Sequence, residues 1–237
     1  MTEKRFGEPV TGWTPPARPG PEAMEGRWAR LERLDPARHA GEVHAANLGS
    51  DAIWDYLPYG PFRSEAEWSA WAGRMAPQED PFFYAIRDLR TGRAAGVASY
   101  LRIGPEAGSI EVGHINLAPA LQRTPAATEA MFLMMRWAFE AGYRRYEWKC
   151  DALNLPSRRA AQRLGLSYEG VFRQATVVKG RNRDTAWFAA IDKEWPRLRA
   201  AFEAWLAPSN FDAEGRQRVA LAALTEGILV ARDPAPA

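Results

Sequence analysis

Apolar residues recur along this chain with two periods. "FFYAIRD" (82–88), "AAGVASYLRI" (94–103) and "SIEVGHINL" (109–117) are strand-like runs bounded by turn residues, "LRTGRA" between the first two and Gly104-Pro105 with Gly108 before the third. "GRWARLERL" (26–34) alternates with Trp28 and Leu31 as its apolar bulk and predicts an earlier strand. "YRRYEWKCD" (143–151) predicts another. "SYEGVFRQATVVKGRNRDTAWFAAI" (167–191) predicts a pair of strands around a turn at 179–184. Helical signals fall between these runs. Asp35-Pro36 is an N-cap followed by Pro at the first helical position, starting a helix that runs to about Asn47. Ser64 with Glu67 three residues on is a capping box. Residues 125–141 are apolar nearly all round, which predicts a helix buried on a sheet and stopped at Gly142. A short helix opens in "NLPSRRAAQRLG" and closes at Gly165, and two helical patterns follow Trp195-Pro196, at about 197–207 and 212–230. Antiparallel strands come first, then strand–helix–strand–helix–strand–strand, an α/β order.

Composition narrows the class. The 237 residues are 46% hydrophobic, enough for one sizeable core with an extension. Residues 1–23 hold Pro9, Pro15, Pro16, Pro19 and Pro21 among three glycines and read as an extended arm, with Phe6 and Trp13 as its anchors. The body then spans 24–196, and 197–237 is a C-terminal helical extension. A formal net charge of +2, with no dense basic run, argues against a nucleic-acid partner. No run of 18 apolar residues predicts a membrane span, and the first residues lack a signal-peptide core. The single cysteine, Cys150, precludes an internal disulfide. The expected location is the cytoplasm.

The start of the helix at 125 is unusual. Thr124 is placed as N-cap and Pro125 as N1, and no acidic residue occupies the first turn. Ala126 and Ala127 carry almost no side chain, so a ligand can approach their N–H groups. Arg123 adds a positive charge beside the partial charge of the helix end. The arrangement suits an anion such as phosphate. The alternative is that the alanines are small only to pack closely.

From about Arg27 to Pro196 the chain resembles the Gcn5-related N-acetyltransferases (GNAT), and within them the branch of ribosomal-protein N-terminal acetyltransferases. The likeness rests on "IEVGHINLAPALQRTPAATEA", "YRRYEWKCDALNLPSRRAAQRLGLSYEGVFRQ" and "RDTAWFAAIDKEWP" in that order, the Asn154…Ser157…Leu164-Gly165 spacing being the most specific. It implies a mixed, mostly antiparallel central sheet flanked by helices. It also implies acetyl-CoA as co-substrate and direct attack by a primary amine in a ternary complex, the acceptor being a protein N-terminus or a small molecule. The family's phosphate loop, Gln/Arg-x-x-Gly-x-Gly/Ala, reads here Gln122-Arg123-Thr124-Pro125-Ala126-Ala127. Pro125 replaces the first glycine and removes one N–H donor. The remaining donors are then Ala126, Ala127 and Thr128, with the Thr124 hydroxyl helping. A non-catalytic acyl-CoA binding or sensing protein is the alternative that Pro125 favours.

The resemblance also implies roles. Ile115 and Leu117 would pair with the thioester carbonyl and the pantetheine arm, and Asn154 would bond a pantetheine amide. Ser157 would donate a proton to the sulfur. Regular alternation would put Glu111, Gly113, Ile115 and Leu117 on one face and His114 on the other. Glu111 is then the candidate general base, the alternative being a structural carboxylate paired with an arginine. His114 would pack behind the sheet. Arg158, Arg159 and Arg163 lie toward solvent. Trp54, Tyr56 and Tyr59 fall where the family builds its acceptor wall, or else form a second core with Trp68 and Trp71. Cys150 reads as a buried, inert thiol. His39 and His44, five apart on one helix, are poorly spaced for a shared metal, and no metal site is evident. "RLRAAFEAWL" has an apolar face at Leu198, Phe202, Trp205 and Leu206 that would cover the sheet or make a homodimer contact.

Overall fold

A computed structural model describes residues 4–234. Eight strands form one sheet: β1 (Ala23–Glu25), β2 (Ala29–Arg33), β3 (Phe82–Asp88), β4 (Arg93–Gly104), β5 (Ser109–Leu117), β6 (Arg145–Asp151), β7 (Ser167–Val178) and β8 (Arg181–Ile191). Their spatial order is β1-β2-β3-β4-β5-β6-β8-β7. Every neighbouring pair is antiparallel except β5 and β6, which are parallel and joined through α3 (Pro125–Glu140). The remaining helices are α1 (Pro36–Asn47), α2 (Glu65–Met75), α4 (Leu155–Arg163), α5 (Trp195–Leu206) and α6 (Leu221–Thr225).

Strand alternation divides the core in two. On β3, Tyr84 and Ile86 face α3, with Ile110 and Val112 of β5. Phe83 and Ala85, one residue out of step, face α1 and α2 and meet Val43, Trp54, Trp68 and Trp71. α5 does not touch the sheet first. Its Phe202 stacks on Phe132 of α3 at 5.0 Å, and the apolar face Leu198, Phe202, Trp205 and Leu206 is buried within the chain.

Capping chemistry sets the helix starts. Asp35 accepts from the Ala37 N–H, and Ser64 from the Glu67 N–H. The Glu67 carboxylate returns to the amide of Arg63, one residue before the cap.

Three differences from the sequence reading have local causes. First, the arm ends in strand β1, which pairs back on β2. Trp13 pins the arm by donating to the Gly142 carbonyl, whereas Phe6 is 86% exposed and anchors nothing. Residues 1–3 of the predicted arm lie outside the described residues. Second, the turn between β7 and β8 is tighter than expected, because β8 begins at Arg181. Third, 212–230 is not one helix. Gly215 takes a left-handed turn (φ 77°), Phe211 bridges back to Gln217, and only 221–225 is helical.

Glu129 also departs from expectation. It falls on the narrow polar stripe of α3, yet it is buried, and its carboxylate accepts the amides of Arg27, Trp28 and Ala29 at 2.5–2.9 Å. Gly26 is required beside it, since a Cβ there would lie 2.3 Å from the Glu129 carboxyl carbon. Glu129→Ala strands three amides and is expected to cost about 3–5 kcal/mol. A thermal melt checks this: Tm should fall by roughly 10 °C or more.

Candidate active site

The site lies where the parallel pair comes apart. β5 and β6 pair only from Ser109↔Arg145 to Val112↔Trp148. Beyond Val112, residues 113–117 stay with β4 while 149–151 stay with β8, leaving a gap through the sheet. A bulge marks the split. His114 adopts φ 50°, and between the pairs Ser99↔Gly113 and Val97↔Asn116 two β5 residues oppose one on β4.

That bulge corrects the predicted alternation. Gly113 shares the face of Glu111, a Cβ there meeting Glu111 Oε1 at 3.4 Å and Leu101 at 2.9 Å. His114 lies on the α1–α2 side as well, stacked on Tyr59 at 5.6 Å and packed on Phe83 at 5.2 Å. Ile115 and Leu117 fall on the opposite side, against the α3 core. An inserted residue flips everything after it, so Glu111 and His114 sit together and Ile115 does not join them.

On the α3 side stand the residues expected to hold coenzyme. Thr124 caps α3, its hydroxyl oxygen accepting from the Ala127 N–H at 3.1 Å and its proton donated to the Leu121 carbonyl at 2.7 Å. The Thr128 N–H is bonded to the Thr124 carbonyl. Ala127, Thr128 and the Thr124 hydroxyl are therefore already satisfied. Among the described residues the amides left open are those of Ala126 and of Arg123 and Thr124, with Arg123 in the left-handed conformation (φ 61°). These three amides and the exposed Arg123 side chain are the groups that could hold a pyrophosphate, two of the amides preceding the helix and one in its first turn.

Across the gap, Asn154 caps α4 by accepting the Ser157 N–H at 3.1 Å. The Ser157 hydroxyl accepts from the Trp148 indole at 3.0 Å and turns its own proton toward the neighbouring Cys150 sulfur. Cys150 is buried beside it, and burial pushes its thiol up to about 11 against the Ser157 hydrogen bond, as an inert thiol requires.

Arg158 does not lie toward solvent. Its guanidinium pairs with Asp233 and donates to the Ala152 carbonyl at 2.7 Å. Arg163 reaches the Thr128 hydroxyl at 3.2 Å and lies over Trp205 at 5.1 Å. Residues 230–233 are thereby strapped across α4 and the start of β7, with the Val230 amide on Ser167 of β7 and the Asp233 amide on Gln162 of α4. Arg158→Ala would remove the ion pair to Asp233 and the bond to the Ala152 carbonyl, loosening the turn that sets Asn154. We expect KM for acetyl-CoA to rise roughly tenfold, with a loss of about 3 kcal/mol in stability. Steady-state kinetics beside a urea titration checks both.

On the other side, Glu111 is buried between Arg102 at 2.7 Å and Lys149 at 3.0 Å. Burial raises its carboxyl despite both cations. Lys149 also pairs with Glu147 at 2.8 Å and lies over Trp187 at 3.7 Å. Glu111 is thus ion-paired on both sides. His114 has a buried ring nitrogen, Nδ1, with no partner among the described residues. Burial, then the charges of Arg102 and Arg183, lower its pKa to about 4. Sequence reasoning missed Arg183, which stands on the regular strand β8, and misplaced His114, whose only signal was a bulge that no local residue pattern announces.

The aromatic segment divides. Trp54 is 4% exposed and belongs to the second core. Tyr59 is packed behind His114, its hydroxyl pushed up by burial. Tyr56 is exposed and donates to the Leu153 carbonyl at 3.2 Å, spanning from the α2 side to the start of α4. His39 is bonded to Glu32 at 2.8 Å, and among the described residues no cluster of three or more metal-ligating side chains forms. No helix among them is long and apolar enough to cross a membrane.

Residues 29–167 match the model of the acetyltransferase (GNAT) domain. The chain belongs to the GNAT acetyltransferase family. A GCN5-related N-acetyltransferase from Brucella melitensis is 45% identical over 92% of this chain and 100% of that chain, with a TM-score of 0.89. A probable GNAT-family acetyltransferase from Chromobacterium violaceum is 39% identical over 83% of this chain and 99% of that one, with a TM-score of 0.76. The ribosomal L7/L12 alpha-N-protein acetyltransferase RimL is 23% identical over 76% of this chain and 99% of that one, with a TM-score of 0.61, a likeness of fold alone. No curated protein matches the chain. GNAT membership carries acyl-CoA-dependent acetyl transfer.

Proposed function

We propose that this GNAT protein acetylates a primary amine, a protein N-terminus or a small-molecule amine, by direct attack in a ternary complex. The observation that carries this reading is one gap in the sheet with a proton donor on one side and an unpartnered base on the other. Arg123, Thr124 and Ala126 would hold the coenzyme's pyrophosphate, Ile115 and Leu117 would line its arm, and Asn154 would bond it. Bound acetyl-CoA supplies an acetyl thioester. The His114 ring nitrogen, neutral through the physiological range, accepts the proton of the attacking amine. The Ser157 hydroxyl gives a proton to the departing sulfur. Glu111 keeps Arg102 and Lys149 in place beside the acceptor.

The finer kinship, to the ribosomal-protein N-terminal acetyltransferases, is supported by the Asn154…Ser157 spacing that makes the α4 cap. A binding or sensing role is the second reading, because the first turn of α3 offers only the Ala126 amide. Thiol release from acetyl-CoA over a panel of amines separates the two. Turnover above hydrolysis, with intersecting initial-rate lines, supports the enzyme. Calorimetric binding with no turnover of any amine supports the sensor.

A further inference from the structure

Resting on the amine-acetyltransferase reading, we propose that the acceptor carries an anionic oxygen group, a carboxylate or phosphate, near its amine, and that Arg183 of β8 receives it. β8 pairs with β6 in unbroken register, Trp187 opposite Lys149 and Thr185 opposite Asp151. Alternation then places Arg183, Thr185 and Trp187 on the face that Lys149 shares with Glu111, the acceptor side of the gap. The Arg183 charge reaches both walls, acting on His114 of β5 and on Cys150 of β6.

The carboxylates nearest on this floor already have partners of their own, and Asp151 accepts the Leu153 amide. Glu111 has Arg102 and Lys149, and Glu147 has Arg145 and Lys149. Asp184, next to Arg183 in sequence, points away and accepts from the Gln174 amide and Asn182. Arg183 has no carboxylate among the described residues, and its Nε is buried with no acceptor. A buried guanidinium N–H left open is costly, and an anionic oxygen is the chemistry that satisfies it. The same unmatched charge disfavours a polycationic amine.

Matched acceptors test this by thiol release from acetyl-CoA: glycine against glycinamide, aminoethyl phosphate against ethanolamine, an acidic against a neutral peptide, and spermidine. We expect kcat/KM at least about tenfold higher for the charged member of one pair or more, the carboxylate and phosphate arms telling which group is preferred. Arg183→Gln should erase that difference while calorimetry shows acetyl-CoA affinity unchanged. Preference for neutral amines or spermidine, equal loss on both members of each pair, or weakened acetyl-CoA binding in Arg183→Gln would overturn the proposal and leave amine acetylation standing. Silence with every amine would overturn amine acetylation itself, and this proposal with it.

Discussion

Thr124→Asp is expected to weaken acetyl-CoA binding by more than about 100-fold while leaving the melting temperature unchanged or slightly higher. The two readouts diverge for one reason. Aspartate is as good an N-cap as threonine, so it can still accept the Ala127 amide that the Thr124 hydroxyl now holds at 3.1 Å. A negative charge there also complements the helix end, which offsets the lost donation to Leu121. The same charge would stand among the open amides of Arg123, Thr124 and Ala126. At about 5 Å from a phosphate and an effective dielectric near 20, the repulsion is about 3 kcal/mol, more than 100-fold in Kd. Calorimetric titration beside a thermal melt makes the measurement. An unchanged Kd would remove the pyrophosphate from this helix end. A collapse in both affinity and Tm would show only that the cap is structural, and Thr124→Ser, which retains the cap without charge, separates that case by binding normally.

The chain's patterns show how far local rules reach. β5 was legible to the residue, 109–117, because its apolar run ends at clear turn signals. α3 was legible at its start because Thr124 and Pro125 are read from local chemistry alone. The same segments misled about which groups act. Period-two reasoning carried Glu111 to Ile115 on one face, but the bulge at His114 inserts a residue where β5 parts from β6, a feature of long-range pairing. The donors assigned to the first turn of α3 were spent on its own cap, which local rules allow but do not require. Arg158 of α4 looked solvated because its partner, Asp233, is 75 residues away in sequence, and Arg163 because it meets Thr128 and Trp205 of other helices. The helix expected over 212–230 rested on scattered apolar positions, and Gly215 breaks it.

His114→Gln is expected to lower kcat/KM by about 100-fold or more without changing acetyl-CoA affinity, since glutamine keeps polar bulk beside Tyr59 but cannot take a proton. A stability measurement tests the same residue without turnover. The folded pKa of about 4 lies below the ordinary 6.5, because burial and the charges of Arg102 and Arg183 disfavour the imidazolium. The unfolded chain therefore takes up a proton as pH falls through 6.5, while the folded protein waits until about 4. His114's contribution is complete above 6.5 and is lost progressively toward 4, in all about 3 kcal/mol. The fold should survive this range. Burial would raise Glu32, but hydrogen bonds from Arg87 and His39 and the charges of Arg87 and Arg38 hold it at about 2, so that cluster keeps its pairing until well below pH 4. Urea titrations at pH 7 and pH 4.5 should then show a loss in the wild type that is smaller in His114→Gln by most of that amount. In kinetics, log kcat/KM of the wild type should break near pH 4, in addition to any limb set by the amine, and the break should be absent from the variant. A break near 6.5 would mean that His114 is solvated and the gap open to water. Near-wild-type rates in His114→Gln would return the base to Glu111, which would then have to work between Arg102 and Lys149.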